Sequence, residues 1–208
     1  MSTLQTINVK HPSSTSNNVI LGSSGNTTIG GALTVSGNAT ITGTLQANGV
    51  TGTIYPLTLD TAKASTSGTF VDFTGIPSWV RRITVMFNGI STNGTSAFLL
   101  QVGTSSGVVV TGYSSGATYS SFNTVSSAGF VLTWGTNSAA FTHSGIATLA
   151  TLGSNIWVQS GACSSASNAL VSSSGGNVTL AGALDRIRIT TVNGTDVFDA
   201  GSINILYE

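Results

Sequence analysis

The side chains able to do chemistry are few and scattered. Two stretches fit the nucleophile-elbow pattern G-x-S-x-G: Gly103-Thr104-Ser105-Ser106-Gly107 and Gly112-Tyr113-Ser114-Ser115-Gly116. An elbow exposes its serine because a strand, a strained turn and a helix follow one another. Here each stretch runs on into strand or into more Ser and Gly. In so Ser/Gly-rich a chain such matches arise by chance, and neither serine is assigned catalysis. The histidines are His11 and His143, with no partner at metal-ligand spacing. No metal site is assigned. His143, in Phe141-Thr142-His143-Ser144, reads as a loop or surface residue.

The acids Asp60, Asp72, Asp185, Asp196, Asp199 and Glu208 are dispersed. Asp196 and Asp199 flank Val197-Phe198. Calcium asks for several oxygen ligands, so a solvated turn, or a salt link to Arg186 or Arg188, is the preferred reading. Glycoside hydrolysis needs two well-placed carboxylates, and nothing in the spacing supplies them. No Gly-Lys-[Ser/Thr] step marks a phosphate loop. The single cysteine, Cys163, sits among Ser and Ala and reads as a small semi-buried residue. No catalytic residue and no cofactor is expected.

What remains is a surface. Tyr113, Tyr119, Phe122, Trp134, Phe141 and Trp157 are flanked by Ser, Asn, Thr or other small residues. Such rings suit sugars or protein loops. Trp134 and Trp157 lie in strand-like patterns and are expected in the core. Tyr113, Tyr119 and Phe122 are the candidate binding residues.

Composition narrows what can position them. Of 208 residues 40% are hydrophobic, enough for a core, while 6% are charged against roughly 25% in ordinary soluble domains. Gly occurs 26 times and Pro three times, and the net charge is zero. Short strands and tight turns are implied rather than helices. No basic stripe offers itself to nucleic acid. No apolar run nears the roughly 20 residues that span a bilayer, so no membrane insertion is expected. The start lacks a basic region followed by an apolar one, so no secretory signal is read.

An echo of twelve residues organises the N-terminal part. Gly25-Asn26-Thr27-Thr28-Ile29-Gly30-Gly31-Ala32-Leu33-Thr34-Val35-Ser36 is followed at once by Gly37-Asn38-Ala39-Thr40-Ile41-Thr42-Gly43-Thr44-Leu45-Gln46-Ala47-Asn48. Each unit holds only two or three large apolar side chains. Ordering one residue costs roughly 1–2 kcal/mol of backbone entropy, and about three stacked repeats are usually needed for a core. Ile29, Leu33, Val35, Ile41 and Leu45 are therefore expected to meet identical chains in a stalk. Ahead of it, Ile7, Val9, Val19, Ile20 and Leu21 flank a polar stretch and suggest a docking arm.

Three regions follow: an extended arm over 1–22, a repeat-bearing stalk and junction over 23–60, and an all-β domain over 61–208. Strands are expected at Thr69–Phe73, Val80–Asn88, Ala97–Val102, Val108–Gly112, Gly129–Trp134, Gly145–Leu149, Asn155–Gln159, Asn177–Leu180, Leu184–Val192, Thr195–Phe198 and Ser202–Tyr207. Alternation places Ile83, Val85 and Phe87 on one face with Arg81, and Ile187 and Ile189 inward with Arg186 and Arg188 outward. Ile203, Ile205 and Tyr207 set the C-terminal strand in the core. Asn193-Gly194 is a hairpin signal; Asn88-Gly89 and Asn93-Gly94 mark further turns. Many short strands point to a sandwich or jelly roll.

Several stretches resemble bacteriophage fibre proteins, those of cyanophages especially. Ile7-Asn8-Val9-Lys10-His11-Pro12, Asn17-Asn18-Val19-Ile20-Leu21 and the repeat are similar to a virion-attachment region. Thr74-Gly75-Ile76-Pro77-Ser78-Trp79-Val80-Arg81-Arg82-Ile83-Thr84-Val85-Met86-Phe87-Asn88-Gly89 resembles the opening of a distal fibre domain. Gly182-Ala183-Leu184-Asp185-Arg186-Ile187-Arg188-Ile189-Thr190-Thr191 and Asp199-Ala200-Gly201-Ser202-Ile203-Asn204-Ile205 resemble its closing strands. The resemblance implies a homotrimer: an arm held by other virion proteins, an intertwined trimeric β stalk and a jelly-roll-like β-sandwich head. It also implies a virion location, on the tail or the capsid. The expectation is a non-enzymatic tail fibre whose head contacts a host glycan or protein. A capsid decoration or cement protein is the alternative, and a polysaccharide depolymerase a third reading.

Overall fold

The computed structural model describes residues 55–134, 137–165, 167 and 169–208. The expected stalk residues Ile29, Leu33, Val35, Ile41 and Leu45 lie outside the described residues, as do the expected anchor residues Ile7, Val9, Val19, Ile20 and Leu21. The chain divides after Thr53, and the description concerns the unit that follows.

Every regular element among the described residues is a strand, and all pair antiparallel into two sheets. The nine-stranded sheet takes β1 (Thr58–Leu59), β2 (Lys63–Ala64), β4 (Arg82–Thr92), β7 (Ser114–Tyr119), β8 (Phe122–Ser126), β10 (His143–Gly153), β11 (Ile156–Ser165), β12 (Leu170–Thr179) and β14 (Phe198–Tyr207). Its order is β1-β14-β4-β10-β11-β12-β7-β8, with β2 also on β14. The five-stranded sheet takes β3 (Val71–Thr74), β5 (Phe98–Thr104), β6 (Gly107–Val108), β9 (Phe130–Val131) and β13 (Arg186–Thr191), ordered β3-β13-β5-β6, with β9 on β5.

The alternation read from the sequence sets the core. Ile83, Val85 and Phe87 of β4 are buried between half-buried Thr84 and Met86. Ile187 and Ile189 of β13 are buried, and Arg186 and Arg188 are half-buried on the other face. Phe73, Phe98, Phe130, Leu149, Ile203 and Ile205 join them in one cluster drawn from both sheets. Each such burial contributes roughly 1.5–3 kcal/mol. Tyr207 packs half-buried against this cluster. Arg81 departs from the reading: it precedes β4 and is exposed.

Two turn signals act otherwise than expected. Asn193-Gly194 forms a turn, with Gly194 N–H donating to Thr191 C=O at 3.0 Å. It closes no hairpin, because β13 belongs to the small sheet and β14 to the large one. The turn carries the chain between sheets. Asn88-Gly89 lies inside β4, where Gly89 has φ +61° and the register against β14 shifts. A β-bulge absorbs an extra residue while the strand continues. Asn93-Gly94 does follow the end of β4.

Candidate functional site

β7 and β8 form the hairpin that ends the large sheet opposite β1. Neither was expected as a strand, since their Ser, Gly, Thr and Asn give little apolar alternation. The two-residue turn Ser120-Ser121 joins them, and Tyr119 and Phe122 are its closing pair. Ser120 holds φ +52°, a conformation that costs a non-glycine residue roughly 1–2 kcal/mol. Directly paired residues share a face, so both rings project to the inner side of the sheet.

Trp134 meets them from the other sheet. After β9, Leu132 N–H donates to Phe98 C=O at 2.9 Å, and Thr133 Oγ1 accepts from Phe98 N–H at 3.1 Å. Trp134 N–H then donates to Ser172 Oγ of β12 at 3.4 Å. The chain thus crosses from one sheet to the other and leaves the indole beside the hairpin. The Trp134 ring centroid lies 6.0 Å from Tyr119 and 5.3 Å from Phe122, with interplanar angles of 33° and 34°. Offset rings at these distances attract beyond the area they bury. Phe122 is 56% exposed, and Tyr119 and Trp134 are half-buried. Ala97, Leu99, Ala117 and Val131 form a small core separate from the main one.

The other expected rings lie elsewhere. Tyr113 is buried; its hydroxyl accepts from Val102 N–H at 2.8 Å and donates to Val109 C=O at 3.0 Å. Burial pushes this phenol up to about 12, against the opposing pull of the Val102 bond. Tyr113 is therefore a core residue and leaves the set of candidate binding rings. Trp157 is buried, as expected. Trp134, expected in the core, belongs with Tyr119 and Phe122 instead.

The remaining polar candidates are structural. Of the two pattern serines, Ser105 lies in the turn between β5 and β6, and Ser114 is exposed at the start of β7, so strand rather than helix follows each. Asp196 is buried and accepts from Ser96 N–H at 2.9 Å and Asn193 Nδ2 at 2.6 Å; Asp199 is exposed. The expected salt link to these acids is replaced: Arg186 pairs with Asp185, and Arg188 makes a two-pronged pair with Asp72 at 2.7 Å. That bond holds the Arg188 guanidinium above its ordinary value. Among the described residues no group of three or more His, Cys, Asp or Glu could hold a metal ion. His143, read as a surface residue, is buried, and its ring meets Phe98 edge-on at 5.3 Å. Its Nε2 has no hydrogen-bond partner, and burial lowers the imidazole to about 4.

The rings stand far from the point where the described chain enters the domain. Tyr55 stacks on Trp79 at 4.2 Å, and Trp79 lies 6.0 Å from Tyr207. Tyr207 begins one row of paired residues running through Ile83, Leu149, Gln159 and Gly176 to Ser115. Tyr55 lies before that row. Tyr119 lies beyond it, about 13 Å further along β7 and about 24 Å from Tyr207 across the intervening strands. Comparison with protein-family models, with curated proteins and with solved structures finds no match.

Proposed function

We propose that the chain is a non-enzymatic structural component of a phage virion. In this reading it is a homotrimeric fibre, held to the particle by its N-terminal arm. The domain after Thr53 is its head, a β-sandwich of jelly-roll type that touches the host surface. The supporting observation is positional: the chain enters beside Trp79, and the exposed aromatic cluster sits at the opposite corner of the large sheet. A domain arranged this way can be held at one corner and present the other. The mechanism is avidity. Several weak contacts on one particle multiply without new chemistry.

Two measurements test the reading. The solution mass of the full chain should be that of a trimer, and a monomer at micromolar concentration overturns it. Replacing Ile29, Leu33, Ile41 and Leu45 by Ser should weaken the trimer; an unchanged trimer moves assembly into the head. Imaging particles labelled after Glu208 should place the label on the tail. A label confined to the icosahedral shell favours a decoration protein instead.

A further inference from the structure

From Ile83 to Leu184 the sequence contains no Asp, Glu, Lys or Arg. That span supplies most of β4 and all of β5 to β12. The charged residues of the described chain lie on β2, β3, β13, β14, the first residue of β4 and the segments beside them. The Tyr119, Phe122 and Trp134 cluster therefore rises from elements without a single ionised side chain. Asp196, in the 192–197 connection, is buried with its carboxylate hydrogen-bonded to Ser96 and Asn193.

The rings are not explained by the core. None of the three belongs to either buried cluster, yet they hold one another at 5.3 and 6.0 Å. Exposed apolar groups gathered into one patch mark a contact site more often than scattered ones do. Ser120 and Ser121 border the patch at the turn, half-buried Thr124 shares the face of Phe122, and Ser121 is exposed beside exposed Phe122. These side chains give and accept hydrogen bonds without carrying charge.

We propose that this cluster binds an uncharged saccharide. The chemistry matches on both counts. The C–H bonds on one side of a pyranose carry slight positive charge and settle against the negative face of an aromatic ring. Its hydroxyls meet the bordering hydroxyls. An anionic sugar or a phosphate finds no cation here to repay its desolvation. A protein loop would fit the rings, but the hydroxyls of Ser120, Ser121 and Thr124 beside them favour a ligand that is itself hydroxylated throughout. The inference rests on the attachment reading for its biological meaning; the binding chemistry is tested apart from it.

The test is calorimetric titration of the full chain with four neutral oligosaccharides (maltohexaose, cellohexaose, mannohexaose and a galactose hexamer) and with oligogalacturonate as the acidic probe. At least one neutral probe should bind, and its affinity should change less than twofold between 50 and 500 mM NaCl. Phe122→Ala should weaken it tenfold or more. Trp134→Ala should do the same, and Trp134→Phe serves if the alanine variant fails to fold. Val171→Ser, at an exposed site on β12, should leave it unchanged. Binding of none of the neutral probes, preference for oligogalacturonate, or neutral binding indifferent to Phe122→Ala overturns the proposal. Adhesion to host envelopes that Phe122→Ala abolishes, and that protease treatment of the envelopes also abolishes, identifies a protein partner. That overturns the saccharide and leaves the attachment reading standing. Neutral-sugar binding without any adhesion to envelopes upholds the saccharide and overturns attachment.

Discussion

Gly201 of β14 lies against Gly89 of β4. A Cβ added to Gly201 would come within 2.5 Å of the Gly89 carbonyl carbon and oxygen. Both residues hold positive φ, +91° and +61°. The paired bulges let the two strands stay joined from Phe198 to Tyr207 despite register shifts. Gly201→Ala should therefore destabilise the domain by roughly 2–4 kcal/mol, combining strain with a backbone clash. Gly89→Ala meets open space and should cost only about 1 kcal/mol. Urea unfolding of the two variants checks the order, and equal losses would remove the close-approach argument.

His143 makes stability depend on pH. Its ordinary value is 6.5 and burial lowers it to about 4 in the fold, so the unfolded chain binds the proton first. The contribution of neutral His143 is complete above about pH 6.5 and is lost as pH falls toward 4. Its size is about 3 kcal/mol over that window. His143→Leu should flatten the fall in unfolding free energy between pH 7 and 4. A slope identical to that of the parent chain would show that the imidazole is not responsible.

Cys163 should be inert until the fold opens. It is buried, and burial pushes its thiol up to about 12, which removes the reactive thiolate at neutral pH. A disulfide exchange reagent at pH 8 should leave the native chain unlabelled and label it within seconds in concentrated urea. Rapid labelling of the native protein would mean that β11 opens locally.

The turn between β10 and β11 can be improved. Ser154 and Asn155 hold φ +50° and +60°, the paired left-handed geometry of a tight hairpin that favours Asn-Gly. Ser154→Asn combined with Asn155→Gly should stabilise by roughly 0.5–1 kcal/mol. A lower unfolding midpoint in the double variant would show that these side chains make contacts the backbone preference does not outweigh.

How far the fold was legible depends on contrast along each strand. β4, β13 and β14 alternate bulky apolar residues with polar ones, so their inward faces were read correctly at Ile83, Val85, Ile187 and Ile205. β7 and β8, the far end of β11 and the middle of β12 are rich in Ser, Gly, Ala, Thr and Asn. Their hydroxyls and small side chains carry almost no period, and backbone pairing with neighbours holds them. The same blindness affected the rings. Tyr119 and Phe122 were picked out by their polar surroundings, but Tyr113 has similar neighbours and is buried. Trp134 could not be placed with them, because the contact arises where the chain crosses between sheets. Asn193-Gly194 was misread for a related reason: local turn chemistry does not say which sheet the next strand joins.

The position of β14 governs how the domain comes into being. β14 lies between β1 and β4, and it also pairs with β2. Until it is available β1 and β2 have no strand to pair with, and nothing joins them to β4 and the rest of the sheet. A ribosome-bound chain lacking these residues would therefore hold Ile83, Val85 and Phe87 against an incomplete wall. A fragment shortened before Phe198 should be handled by the cell as an unfinished protein rather than as a smaller version of this one.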